Sequence, residues 1–270
     1  MTGLGQSALG RSYGAELARI VRRRVVGVTA LCVLAFAIGG AAIVTAAAKP
    51  DPGFGPEPSV SIASLSSAGG GTEVFRLAVS FAGTFVFVVF VGLVAMEFAR
   101  GTVRTMLLRQ PRRTALLVGK VAALLTFAAG ALAAGGVATW LAARVLAPGQ
   151  GIDTSGWLSL DAIGAALGDY VAVLVWVTGY AVLATAVAVV VRSVPLALAV
   201  GIAWAGPVEH LVQNAWEGAS RVFPGLSLEA FVAGGTPDVS VSRALVTATA
   251  YAVIGAEVAL VVFARRDVTS

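Results

Sequence analysis

Few side chains in this 270-residue chain are equipped to make or break bonds. It has one histidine, His210, and one cysteine, Cys32. A zinc hydrolase of the two-histidine kind needs imidazoles at i and i+4, so one histidine excludes that class. A serine hydrolase needs a serine beside a base, and no Gly-x-Ser-x-Gly elbow accompanies His210. The pair Gly119-Lys120 invites comparison with a phosphate loop, which requires a glycine five residues earlier and Ser or Thr after the lysine. Thr114 and Val121 stand in those places. The chain is therefore not expected to be an enzyme, to bind ATP through such a loop, or to hold a metal or cofactor. A single cysteine also excludes an intramolecular disulfide.

What remains is charge in unusual places. The stretch Met96 to Arg113, MEFARGTVRTMLLRQPRR, holds five of seventeen arginines. At helical periodicity Glu97, Arg100 and Arg104 fall within an arc of about 60°, with Val103, Met106 and Leu107 in a neighbouring arc of about 100°. The segment is expected to form a short amphipathic helix that Pro111 stops and that Thr114 follows as a cap for the next helix. Glu97 and Arg100 stand at ion-pair spacing, worth a few tenths of a kcal/mol. Two readings compete: the arginines anchor helix ends to anionic headgroups, or they form a docking surface. Glu257 is a second oddity, an acid in the middle of an apolar run. Such a residue costs about 2.5–3.5 kcal/mol to insert and is expected to face the protein interior.

Composition says what must position these residues. With 58% hydrophobic and only 12% charged residues, the chain is far from the charged share of about a quarter found in soluble domains. A membrane span needs about 20 mainly apolar residues. Residues 25–48, 77–96, 115–143, 170–191 and 244–264 meet that, and 194–210 is a shorter sixth run in which Pro207 is expected to kink or stop the helix. The fold expected is an all-α polytopic membrane protein, one transmembrane domain over 1–270. Residues 1–24 read as an amphipathic helix with Tyr13, Leu17, Ile20 and Val21 at helical spacing. The proline-rich and glycine-rich stretch 49–73 reads as a loop without a fold of its own. Arg22-Arg23-Arg24 before an apolar run resembles a secretory signal, but the run exceeds the 7–15 residues of such a region.

Lysine and arginine fix the orientation, because they resist translocation. With a cytoplasmic N-terminus, fourteen of the nineteen basic residues lie inside and ten of the fourteen acids outside. Both termini are thus expected in the cytoplasm and the chain in the plasma membrane. The net charge of +5 reports topology, and no aromatic-basic motif points to nucleic acid.

The pattern Glu97-x-x-x-Gly101-Thr102-x-Arg104-x-x-Leu107-Leu108-x-x-Pro111-x-Arg113, followed by Leu116-Leu117-x-x-Lys120, resembles the segment after the second span in ABC transporter permeases of the type-2 exporter class. Glu16-Leu17-x-Arg19 and Phe263-x-Arg265-Arg266-Asp267 extend the likeness to both ends. The resemblance implies six spans, with 97–113 as a cytoplasmic coupling helix between spans 2 and 3 and short or re-entrant helices over 211–243. It implies two partners, a second permease, identical or paralogous, and a cytoplasmic ABC ATPase in two copies that binds ATP and Mg. Glu97, Gly101, Thr102, Arg104, Leu108, Pro111 and Arg113 would form the ATPase-coupling surface. The cargo path, lined by the second and fifth spans, would take a hydrophobic or amphipathic substrate such as a drug, peptide or lipid past Phe81, Phe85 and Trp204, with membrane lipids around it. Two alternatives stand beside this: a proton-coupled secondary exporter using Glu257, and a non-transporting membrane scaffold or immunity protein.

Overall fold

The structure is a computed structural model, and it describes residues 7–50, 60–109 and 112–265. Its elements follow from long apolar runs broken by Gly, Pro and charge. Helix α1 (Ala8–Ile20) is followed by α2 (Arg23–Ala46), a two-residue strand β1 (Ala48–Lys49) and its partner β2 (Val60–Ser61). Then come α3 (Ile62–Leu65), α4 (Gly70–Ser80), α5 (Gly83–Ala99), the short α6 (Thr102–Arg109) and the long α7 (Arg113–Leu146). The rest comprises α8 (Leu160–Val191), α9 (Val194–Ala203), a π-helical turn over Trp204–Val208, α10 (Glu209–Ala215), α11 (Pro224–Val232) and α12 (Val241–Arg265).

The protein is an all-α, membrane-embedded chain. Among the described residues, five helices are long and apolar enough to cross a bilayer, or six if α4 and α5 together make one broken span. Helix α2 shows why hydrocarbon is its solvent. Its buried residues are Ala37, Ala41, Val44 and Thr45, while Val28, Leu31, Leu34, Ile38 and Ile43 lie on the surface. In water so large an apolar surface would drive association; in lipid it carries no such penalty.

The chain divides into two compact units. The first holds Met1–Arg22, Gly83–Ala128 and Trp176–Ser270. Within it α5 packs on α9 and α11 on α12, around the fully buried Trp176 and Tyr180, whose rings meet edge to face at 5.1 Å. Phe87 meets Tyr180 in the same way at 6.3 Å. The second unit holds Arg23–Ala82 and Ala129–Val175. There α2 packs on α4, β1 pairs in parallel with β2, and Ala41, Val44, Leu65, Val74, Ala143 and Trp157 form a core.

Three expectations change. The stretch around Gly69-Gly70-Gly71 is not loop: α4 begins at Gly70, and a Cβ on Gly71 would lie 2.6 Å from Trp140, so glycine serves close packing there. Trp157 closes the same region by donating its indole N–H to the Leu65 carbonyl at 2.9 Å. The uninterrupted helix expected over 77–96 breaks at Phe81 and Ala82, between α4 and α5. Pro207 does not end its helix. The backbone widens into the π turn around it and continues to Ala215, giving 22 residues from Val194. The wider turn tolerates a residue without an N–H, and Thr84 Oγ1 donates to the Ala205 carbonyl at 2.6 Å.

Candidate functional site

At the end of α5 that leads into α6, the first unit buries an ion cluster drawn from three helices. Glu16 comes from α1, Glu97 from α5 and Lys120 from α7, and each is only 6% exposed. Lys120 Nζ lies 2.6 Å from Glu16 Oε1 and 2.6 Å from Glu97 Oε1. Arg19, one turn on from Glu16, completes the group: its Nη2 is 2.8 Å from Glu16 Oε1 and also bonds Glu97 Oε1. Two carboxylates thus face two cations, and the cluster is formally neutral. That matters because an unpaired buried charge is far more costly than a matched pair. Burial alone would lower the pKa of Arg19, but the bonds and charges of Glu97 and Glu16 outweigh it and hold the pKa above the usual value.

Local sequence explains how α1 reaches the cluster. Ser7 caps α1 by accepting from the Gly10 N–H at 3.2 Å. The buried face of α1 is Ala8, Ser12 and Glu16, spaced by four residues. This polar stripe lies on α7 at Gly119, where a Cβ would sit 2.7 Å from Ser12 Cβ and 2.9 Å from the Tyr13 amide nitrogen. Gly119 lets the two helices touch, and Lys120 beside it supplies the charge. The pair that failed as a phosphate loop is a helix-packing site.

The turn from α5 to α6 is made by Gly101, whose φ of 65° lies in the left-handed region that other residues enter at a cost. Thr102 Oγ1 donates to the Glu97 carbonyl at 3.1 Å and ties the turn to the end of α5. Along α6, Val103 is buried, Arg104 is exposed and Leu108 is 82% exposed. A cavity of about 20 Å³ lies between the cluster and the inner face of α6, bordered by Glu16, Glu97, Lys120, Val103, Met106 and Phe263. Phe263 meets Phe98 edge to face at 6.0 Å, which seats α12 beside α5.

The sequence-derived set therefore separates. Gly101, Thr102, Arg104 and Leu108 gather on the turn and α6. Glu97 faces the interior, and it pairs with Arg19 and Lys120 instead of Arg100, because burial makes the long-range pairs stronger than an exposed i, i+3 pair. Arg113 turns to α12, its Nη1 lying 3.5 Å from the carbonyls of Phe263 and Ala264; a cation there complements a helix C-terminus. Pro111 lies outside the described residues. Phe81 and Phe85 are exposed, and Trp204, also exposed, stacks at 5.8 Å on Phe223. Glu257 is exposed on α12 with no hydrogen-bond or ion partner among the described residues, so it does not face the interior of the chain as expected. Glu16, Arg19 and Lys120 stood in the sequence pattern without a role; only three-dimensional proximity joins them.

A second polar group in the same unit lies around α10 and α11. Glu209, 1% exposed, accepts from the amides of Gly225 at 3.3 Å and Leu226 at 2.8 Å, capping α11. His210 Nε2 lies 3.2 Å from Glu229 Oε2, and its Nδ1 lies 2.8 Å from the Gly206 carbonyl. Among the described residues no set of three His, Cys, Asp or Glu side chains is placed to hold a metal.

Residues 58–269 match the model of a protein family described as protein of unknown function (DUF2705). No curated protein matches the chain significantly.

Proposed function

The chain belongs to the DUF2705 family of proteins of unknown function, and from that premise we propose that it is the membrane-spanning permease subunit of an ATP-driven ABC exporter. Two such permeases would enclose a path for a hydrophobic or amphipathic substrate, and a separate ATPase would dock on α6 from the cytoplasm, where both termini also lie. The observation that carries this reading is α6 itself. It is a short helix set between two apolar helices, presenting Arg104 and Leu108 outward, and Thr102 at its start bonds the carbonyl of Glu97, whose carboxylate joins α1, α5 and α7 in the ion cluster.

Such an element suits force transmission. A partner gripping α6 would act on three helices at once, because Lys120 and Arg19 bind α1 to the carboxylate from which α6 departs. Energy would enter as a difference in the ATPase's affinity for two arrangements of the helices. Arg104 offers a planar, permanent cation suited to a partner carboxylate. Glu97 and Arg113 then act as positioning residues, while Gly101, Thr102, Arg104 and Leu108 shape the docking surface. On the far side, α10 and α11, locked by Glu209, would form the outer gate, and Phe81, Phe85 and Trp204 would border the path.

A specific observation supports a second reading: Glu257 is exposed on α12 with no ion partner among the described residues, and a carboxyl of that kind would suit a proton carrier. A proton-driven secondary exporter and a scaffold are separated from the ATP-driven exporter by copurification and flux. An ATPase that copurifies and is lost on Arg104→Glu supports the exporter. A solitary protein whose flux follows a pH gradient and vanishes in Glu257→Gln supports the carrier, and a stable complex without flux supports the scaffold.

A further inference from the structure

Beside the ion cluster, a cleft of about 230 Å³ opens at the Arg100 end of α5, lined by Arg19, Leu93, Met96, Glu97, Arg100 and Thr102. Its charges do not cancel. The Glu97 carboxylate is shared between Arg19 and Lys120, while Arg100 is exposed and has no ion partner among the described residues. The N-terminus of α6 at Thr102 borders the same cleft and adds a partial positive charge. The cleft is also continuous with lipid-accessible surface. Phe85, Val89, Leu93 and Met96 are all exposed, and their spacing of four, four and three residues puts them on one face of α5. From Met96 to Phe85 that face runs about 16 Å, roughly the depth of one leaflet.

We propose that this cleft binds one anionic phospholipid of the surrounding bilayer, with its phosphate on Arg19 and Arg100 and an acyl chain along Met96, Leu93, Val89 and Phe85. Each half of the arrangement selects against a different competitor. A free phosphate would meet the arginines but leave the apolar face unused, and a zwitterionic lipid would cover that face without neutralising the cleft. The site needs no transport activity; it shares Phe85 with the proposed cargo path, so lipid retention is read on its own, without flux.

Native mass spectrometry of the delipidated full chain in detergent, titrated with phosphatidylglycerol, phosphatidylcholine or glycerol 3-phosphate, tests it. One phosphatidylglycerol per chain is expected to be retained in preference to phosphatidylcholine, with no retention of glycerol 3-phosphate. Arg100→Gln, on the surface and outside the ion cluster, should weaken retention about fivefold, Leu93→Gln should also weaken it, and Arg243→Gln should leave it unchanged. Equal retention of the two lipids, retention of glycerol 3-phosphate, an unaltered Arg100→Gln, or an equal loss in Arg243→Gln would overturn the site.

Discussion

Lys120 Nζ on α7 lies 2.6 Å from Glu97 Oε1 on α5, and the carboxylate so held is the one charged group within α5, one turn before Gly101. Glu16 shares the same ammonium, so removing Lys120 leaves two buried carboxylates facing Arg19 alone. Lys120→Met is expected to cost about 3–5 kcal/mol, read as a lower midpoint of thermal unfolding in detergent. Glu16→Gln in the same chain should recover part of the loss, since it removes the one carboxylate charge that Arg19 does not balance.

Gly119→Ala places a methyl group where Ser12 Cβ would be 2.7 Å away. Overpacking of this kind costs about 1–3 kcal/mol, and α1 is the element free to yield. Trypsin should then cut after Arg11 or Arg19 faster than in the parent protein. Unchanged cleavage would mean that α1 does not rest on Gly119.

Gly101 holds a left-handed backbone at φ 65°, and among the described residues no atom lies within 4 Å of where a Cβ would stand. Strain and not crowding is therefore the cost of substitution. Gly101→Ala should lose about 1–2 kcal/mol, and Gly101→Asn less, because asparagine tolerates this region. Thermal stability of the two variants, compared side by side, gives the order.

Glu209 partners two first-turn amides of α11. Glu209→Ala removes that cap and should cost about 1–2 kcal/mol. Hydrogen exchange at the Leu226 amide should quicken by about tenfold or more, while amides in the middle of α8 stay protected. Equal acceleration in both places would point to general unfolding instead of a lost cap.

The sequence made the helical architecture legible because apolar runs of span length have few other uses, and it made α6 legible because Arg, Val and Leu alternate there at helical spacing. Breaks inside apolar runs were hidden. Phe81 and Ala82 are as apolar as their neighbours, and Pro207 was read as a kink or a stop because the π turn that absorbs it depends on α5 packing nearby. The ion cluster was hidden for another reason. Glu16 and Lys120 stand 104 positions apart, so spacing rules find only the local Glu97 and Arg100 pair, which tertiary burial then overrides. Glu257 shows the opposite failure: insertion cost predicts an interior partner, and the chain instead presents the carboxyl on its surface.

In the proposed exporter, α6 receives a force supplied by ATP. Cargo flux in sealed vesicles holding the chain together with any ATPase that copurifies with it tests that proposal. Flux is expected to require ATP and to be abolished by Arg104→Glu, with the variant chain still folded and no longer retaining the ATPase. Flux that persists without ATP, or an Arg104→Glu protein that keeps both the partner and full ATP-driven transport, would contradict it.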